Sequence, residues 1–164
     1  MSTLAWVNGR IVAADAPQIL VGDRGLTLGD GLFETIRVAG GRPVALAVHL
    51  ARLAAGRAVL GLDGVPSDEE LSTAVQALLA EAGVTEGAVR LTVTRGAGPR
   101  GLVPPATTRP TVIGTVAAGA ALQTPVRLMV ATGTRRNEWS PLARIKSTTA
   151  LDAILARAEA ADAG

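Results

Sequence analysis

The sequence predicts an α/β chain of the α+β kind: an antiparallel-rich sheet with two helices packed on one side. Three observations predict it. Apolar and polar residues alternate over short runs separated by tight-turn signals. Two longer stretches instead repeat their apolar positions every three to four residues. The composition, 48% hydrophobic but only 2% aromatic, gives a core of Ala, Val, Leu and Ile, enough for folding at 164 residues.

Residues 4–7 and 10–13 flank Asn8-Gly9, the strongest two-residue hairpin signal, and residues 32–38 and 42–44 flank Ala39-Gly40-Gly41. Between the hairpins, residues 21–31 read as a polar loop with four glycines, in which Asp23 and Asp30 are turn acids. Glu34 is grouped with these as a turn or loop acid. A helix is expected over 46–62, where Leu46, Leu50, Leu53 and Leu60 recur at helical spacing and His49 and Arg52 lie one turn apart. A second begins at Ser67-Asp68-Glu69-Glu70, a capping box, and buries Leu71, Ala74, Val75, Leu78, Leu79 and Ala82 before Gly83 ends it. Val89, Leu91 and Val93 alternate with Arg90, Thr92 and Thr94 as a half-buried strand, and 111–117 is a more apolar one. The Gly/Pro loop 95–105 between them carries Arg95 and Arg100. Residues 119–124 read as a linker and 126–132 as a further strand. A last helix starts near Thr149, capped by Thr149 and Asp152, with Leu151, Ile154, Leu155 and Ala158 on its apolar face.

Composition excludes several classes. No cysteine means no disulfide, thiolate ligand or thiol nucleophile, and one histidine excludes a multi-histidine metal site within one chain, so no metal is expected. No apolar run reaches the roughly twenty residues of a membrane helix. The first residues lack a basic stretch and an apolar segment, so a cytoplasmic protein without a membrane partner is expected. Sixteen basic residues leave a net charge of only +2, and the arginines are scattered with few aromatics to stack on, so a nucleic-acid partner is not expected.

Fifteen of those sixteen basic residues are arginine, and the remaining one is Lys146. Arginine replaces lysine on most surfaces but not where an amine must lose its proton and attack a carbonyl. Lys146 is flanked by the apolar Leu142, Ala143 and Ile145 and lies just ahead of the expected last helix. Apolar surroundings and a positive helix end both favour the neutral amine.

Asp23-Arg24-Gly25 followed by Leu28-Gly29-Asp30-Gly31-Leu32-Phe33-Glu34-Thr35-Ile36-Arg37 resembles the N-terminal signature of the fold-type IV pyridoxal-phosphate enzymes, aminotransferase class IV. These include branched-chain and D-amino-acid aminotransferases and 4-amino-4-deoxychorismate lyase. His49-Leu50-Ala51-Arg52-Leu53 is similar to the family's His-x-x-Arg-Leu helix, Thr94 to Gly101 to its Arg-Gly loop, and Arg136-Asn137-Glu138 leading to Ile145-Lys146-Ser147 to its approach to the Schiff-base lysine. Thr148-Thr149-Ala150 stands where the family usually has Asn-Tyr, and Leu102 where relatives often carry Tyr or His.

The resemblance implies pyridoxal 5'-phosphate as cofactor, held by Lys146 as a Schiff base, with Lys146 then serving as the catalytic proton carrier. It implies that Arg52 binds the cofactor phosphate. Arg100 either anchors a substrate carboxylate or decorates its loop, and Phe33 is core or the wall of the substrate pocket. His49 reads as a structural helix histidine. The implied activity is that of a lyase of the aminodeoxychorismate type, or else of a branched-chain or D-amino-acid aminotransferase, on a small amino-acid-like substrate and in a homodimer. The family's chains are considerably longer, and this one ends eighteen residues beyond Lys146. The expected division is therefore an N-terminal α/β domain over 1–118, the 119–124 linker and a truncated start of the cofactor-binding domain over 125–164, poorly packed or covered by another chain. The corresponding alternative of another class is an inactive chain retaining only the N-terminal domain and a dimer interface.

Overall fold

A computed structural model describes residues 4–16, 19–119 and 125–164. Six strands form one fully antiparallel sheet: β1 (Leu4–Val7), β2 (Arg10–Ala13), β3 (Gly31–Ala39), β4 (Arg42–Pro43), β5 (Gly87–Thr94) and β6 (Thr111–Ala118), in spatial order β2-β1-β6-β5-β3-β4. Both expected hairpins form, with Asn8 and Gly9 at positive φ as that two-residue turn requires.

Strand alternation sends Leu32, Ile36 and Val38 of β3, Val89, Leu91 and Val93 of β5, and Val112 and Val116 of β6 to one face, where all are buried. Two helices cover that face: α2 (Leu46–Leu60), through Leu50 and Leu53, and α3 (Asp68–Ala82), through Leu71, Val75, Leu78 and Leu79. The capping box of α3 is present as expected, with Ser67 and Glu70 each accepting from the other's backbone amide. The opposite face of the sheet carries Phe33 and Arg90 and, among the described residues, is not the face that α2 and α3 cover.

Three expectations are corrected. The 21–31 segment is not wholly loop: α1 (Arg24–Leu28) forms there because the Asp23 carboxylate caps it from Gly25 N and Gly29, at φ 68°, ends it. Residues 126–131 form no strand. Val126, Leu128 and Val130 have the alternation but, among the described residues, no neighbouring strand to pair with and are exposed, while Thr132 and Gly133 are held instead by the Glu159 carboxylate. The last helix, α4, spans Leu151–Asp162 and is not capped by Thr149, whose hydroxyl meets that of Ser147 at 2.7 Å. The expected linker lies, but for Gly119, outside the described residues.

Beyond β6 the chain returns to the sheet through one short extended segment after a 3-10 turn (Pro141–Arg144). Next to Gly31–Phe33 the edge of β3 is free, because β4 pairs only with Val38 and Ala39. Residues 145–148 dock there: Phe33 N donates to Lys146 O at 2.9 Å, Thr148 N to Gly31 O at 2.9 Å, and Leu32 and Ser147 form a β-bridge. Ile145 enters the core beside Leu32. By contrast α4 has no buried residue, and Leu151, Ile154 and Leu155 are exposed.

Gly31 lies where β3 meets both β5 and this segment. A Cβ there would stand 2.6 Å from Val93 O and 3.4 Å from Thr148 Cγ2, with backbone on the closer side. Gly31→Ala is expected to destabilise by about 1–3 kcal/mol, lowering Tm by several degrees in calorimetry. A Tm within 1 °C of the wild type, on the order of the measurement error, contradicts this packing.

Candidate active site

Alternation in an extended segment decides where Lys146 goes. Ile145 points into the core, so Lys146 turns to the uncovered face, where its Nζ lies 4.2 Å from the centroid of the Phe33 ring. Arg90 occupies the same ring from β5, with its guanidinium carbon 3.8 Å from the centroid. The register explains the meeting: Thr35 pairs with Arg90 and Phe33 with Thr92, so Phe33 and Arg90 are diagonal neighbours on one face. Two cations on one aromatic ring use its negative π face and leave both positive charges available to an anion. Partial burial lowers the Arg90 pKa from its ordinary value.

Around the docked segment an open cleft of about 860 Å³ is lined by Lys146, Phe33, Arg52, Arg136, Ser147 and Thr149, among others. Arg52 reaches it from α2. Its Nε donates to Glu34 Oε1 at 2.7 Å and its Nη2 to Glu34 Oε2, a two-pronged pair that fixes the guanidinium plane. His49, one turn earlier, meets Glu34 Oε2 through Nδ1 at 2.8 Å. An ionised carboxylate only accepts, so Nδ1 carries the hydrogen. The Arg52 side chain remains 52% exposed while Glu34 is fully buried, so the arginine is anchored at one edge and open at the other.

Glu34 is the residue that sequence reading misplaced. It is no turn acid: it sits inside β3 in phase with Leu32, Ile36 and Val38, on the helix-covered face. A carboxylate in the apolar phase of a strand requires a cationic partner, and the one-turn spacing of His49 and Arg52 was the signal that supplied it. Burial would raise the Glu34 pKa, but the hydrogen bonds from Arg52 and His49, with the Arg52 charge, outweigh it and hold the carboxyl below its usual range.

Asp23 and Asp30 do lie in the 21–31 segment but do more than turn the chain. Asp23 accepts from Gly25 N, Thr94 Oγ1 and Thr111 Oγ1, and Asp30 Oδ2 from Arg24 Nε at 2.9 Å and Arg95 Nε at 2.7 Å. The structure thus brings Lys146, Arg52 and Phe33 together and leaves Arg100 apart. Arg100 is exposed on the β5–β6 loop and does not line this cleft. The donors present, one primary amine and an oriented guanidinium on the same cleft with hydroxyls between, fit a phosphate ester that carries an aldehyde.

The family model for amino-transferase class IV matches residues 31–164. The chain belongs to that family. It superposes on 4-amino-4-deoxychorismate lyase from Pseudomonas aeruginosa with a TM-score of 0.81 and 40% identity, over 95% of this chain and 56% of that one. It is 35% identical over 98 residues to D-alanine aminotransferase from Staphylococcus epidermidis, a match covering 60% of this chain and 35% of the relative. A hypothetical aminotransferase from Mycobacterium tuberculosis, solved in a PLP-bound form, superposes with a TM-score of 0.60 and 27% identity over 70% of this class IV chain and 39% of that one. The chain therefore spans about half or less of the length of these proteins. The mixed fold with its antiparallel sheet is that of the N-terminal part of fold-type IV aminotransferases, and the class uses pyridoxal phosphate. Among the described residues no helix is long and apolar enough to cross a membrane.

A group whose folded pKa is depressed contributes stability above its unfolded pKa and loses it as pH falls through the folded value. The unfolded value for Glu34 is near 4.5. Glu34→Gln is expected to lower Tm at pH 7, with the gap to wild type closing as pH falls below about 4.5. A gap constant from pH 7 to about 3 contradicts a charged Glu34 as the anchor of Arg52.

Proposed function

We propose that this chain carries the lysine, the phosphate arginine and part of the substrate wall of a pyridoxal-phosphate enzyme acting on an amino acid or amino-carboxylate. The observation that carries the reading is the convergence on one cleft of the chain's single lysine, Lys146, with Arg52. When bound, pyridoxal phosphate supplies an electron sink that stabilises negative charge at the substrate α-carbon. Lys146 is the Schiff-base residue, attaching through Nζ. With the cofactor bound, the Lys146 amine would be the group that removes and returns the proton at the substrate α-carbon. Phe33 limits where that amine can move, because the protonated form is attracted to its ring. Arg52, held by Glu34, presents its remaining N–H groups to the phosphate. Arg100, exposed on the β5–β6 loop and outside this cleft, is the group proposed for the substrate carboxylate.

The aminodeoxychorismate lyase type is favoured by the Arg-Gly loop around Arg100 and by the 40% identity over nearly the whole chain. A D-amino-acid aminotransferase is the second reading, supported by the 35% identity to the D-alanine enzyme, with a branched-chain aminotransferase beside it in the same class. The three share Lys146 and Arg52 and differ in the fate of the substrate after its amine is bound. The proposed setting is a cytoplasmic homodimer in which 1–118 is one domain and the chain from 125 opens the cofactor-binding one. Exposure of Val126, Leu128, Val130, Leu151, Ile154 and Leu155 supports further protein covering that second part. The alternative of another class, a chain that keeps the domain and an interface without the chemistry, is separated by labelling.

Borohydride reduction after addition of pyridoxal phosphate is expected to place one phosphopyridoxyl group on Lys146, found by peptide mass spectrometry. Arg52→Ala should raise the cofactor concentration needed for half-labelling by about 10–100-fold, the loss of a charge-assisted contact. Label confined to the N-terminal amine overturns the reading.

A further inference from the structure

Arg24 is 3% exposed, yet its side-chain hydrogen bonds among the described residues lead to one loop or to that loop's anchor. Its Nη1 donates to Gly101 O at 2.8 Å and its Nη2 to Leu102 O at 3.1 Å, while Nε is held by Asp30. Its own amide donates to Gly96 O at 2.8 Å, at the start of the same loop. Arg100 lies between these fixed points, with its backbone pinned immediately after it and its side chain exposed.

The anchor is itself braced. Asp30 is shared with Arg95, whose Nη1 and Nη2 donate to Gly61 O and Leu60 O at the C-terminal end of α2. A continuous chain of hydrogen bonds therefore runs from the loop tip through Arg24, Asp30 and Arg95 to the helix that presents Arg52. Only arginine fits at position 24. Three nitrogens in one plane serve a carboxylate and two successive carbonyls at once, whereas a lysine ammonium is a single point. Gly98 adds to the fit: a Cβ there would stand 3.0 Å from Arg24 Cδ.

We propose that Arg24 is the positioning residue for Arg100: its guanidinium fixes the backbone beyond Arg100 and so sets where that side chain meets a substrate carboxylate. The inference rests on the reading of Arg100 given under the proposed function, and two measurements separate their failures. Trypsin must draw the loop into an extended form to cut after Arg100, which the bonds to Gly101 O and Leu102 O oppose. Cleavage of the Arg100–Gly101 bond, monitored by mass spectrometry on the full chain, is expected to be at least about 10-fold faster in Arg24→Lys and in Gly98→Ala, the latter keeping Arg24 and pressing on it through the new Cβ. Rates equal to wild type in both variants overturn the clamp, whether or not the chain turns over substrate. With D-alanine and 2-oxoglutarate, or 4-amino-4-deoxychorismate, as the probe, Arg24→Lys should raise KM severalfold with kcat nearly unchanged, and add nothing in an Arg100→Ala background. A faster-cut loop with an unchanged KM overturns the link from Arg24 to Arg100, and an Arg100→Ala variant with wild-type KM overturns the reading of Arg100 itself.

Discussion

The candidate site depends on the docking of four residues, 145–148, on the free edge at the start of β3. Two backbone hydrogen bonds, the Thr148 hydroxyl donating to Gly29 O at 2.6 Å and one buried isoleucine hold the segment. Their orientation carries the consequence: because side chains alternate in an extended segment, burying Ile145 beside Leu32 forces Lys146 to the uncovered face. Had the register slipped by one residue, lysine would point at the core and isoleucine at solvent. The short length of β4 is part of the same constraint, since a longer partner strand would occupy the edge that this segment uses.

Buried charge does the rest of the positioning. Two carboxylates near the same end of the sheet each sit between two hydrogen-bond-donating side chains: Glu34 between Arg52 and His49, Asp30 between Arg24 and Arg95. In each cluster a carboxylate, fully buried in Glu34 and largely so in Asp30, holds its partners in a fixed geometry, because an unpaired buried charge is far costlier than a paired one. The outcome differs by exposure. Arg52 keeps half its side chain at the cleft, free for an anion, whereas Arg24 and Arg95 spend their donors on backbone carbonyls and hold loop and helix ends in place. The first cluster orients a binding group directly, and the second holds the backbone of the loop that carries Arg100.

Much of this was legible in the sequence, for reasons that differ between elements. Hairpins at Asn8-Gly9 and Gly40-Gly41, the capping box at Ser67 and the apolar stripe of α3 are encoded by neighbours in sequence, and local rules recover them. The solitary Lys146 stood out by contrast with fifteen arginines. The strand expected over 126–132 failed because alternation is only half of a strand and the described structure offers it no partner edge. Glu34 was misread because its role is set by pairing across from α2, fifteen residues away to His49 and eighteen to Arg52. Arg90 looked like the polar side of an amphipathic strand, and only the β3–β5 register brings it to Phe33. The placement of Arg100 away from Lys146 had no local signal.

The position of Lys146 depends on 145–148 being seated on β3 in solution. Amide hydrogen exchange resolved at Phe33 and Thr148 tests this most directly, because these two amides bond across the junction and to nothing else in the sheet. The account predicts that both are protected together, by a common factor of at least about 100, and that both lose protection in a variant replacing Ile145 with aspartate while Val89 and Leu91 in β5 keep theirs. Exchange of Phe33 and Thr148 at the rate of unstructured amides, with the sheet otherwise protected, would mean that Lys146 is not held over Phe33 and would contradict the site as a whole.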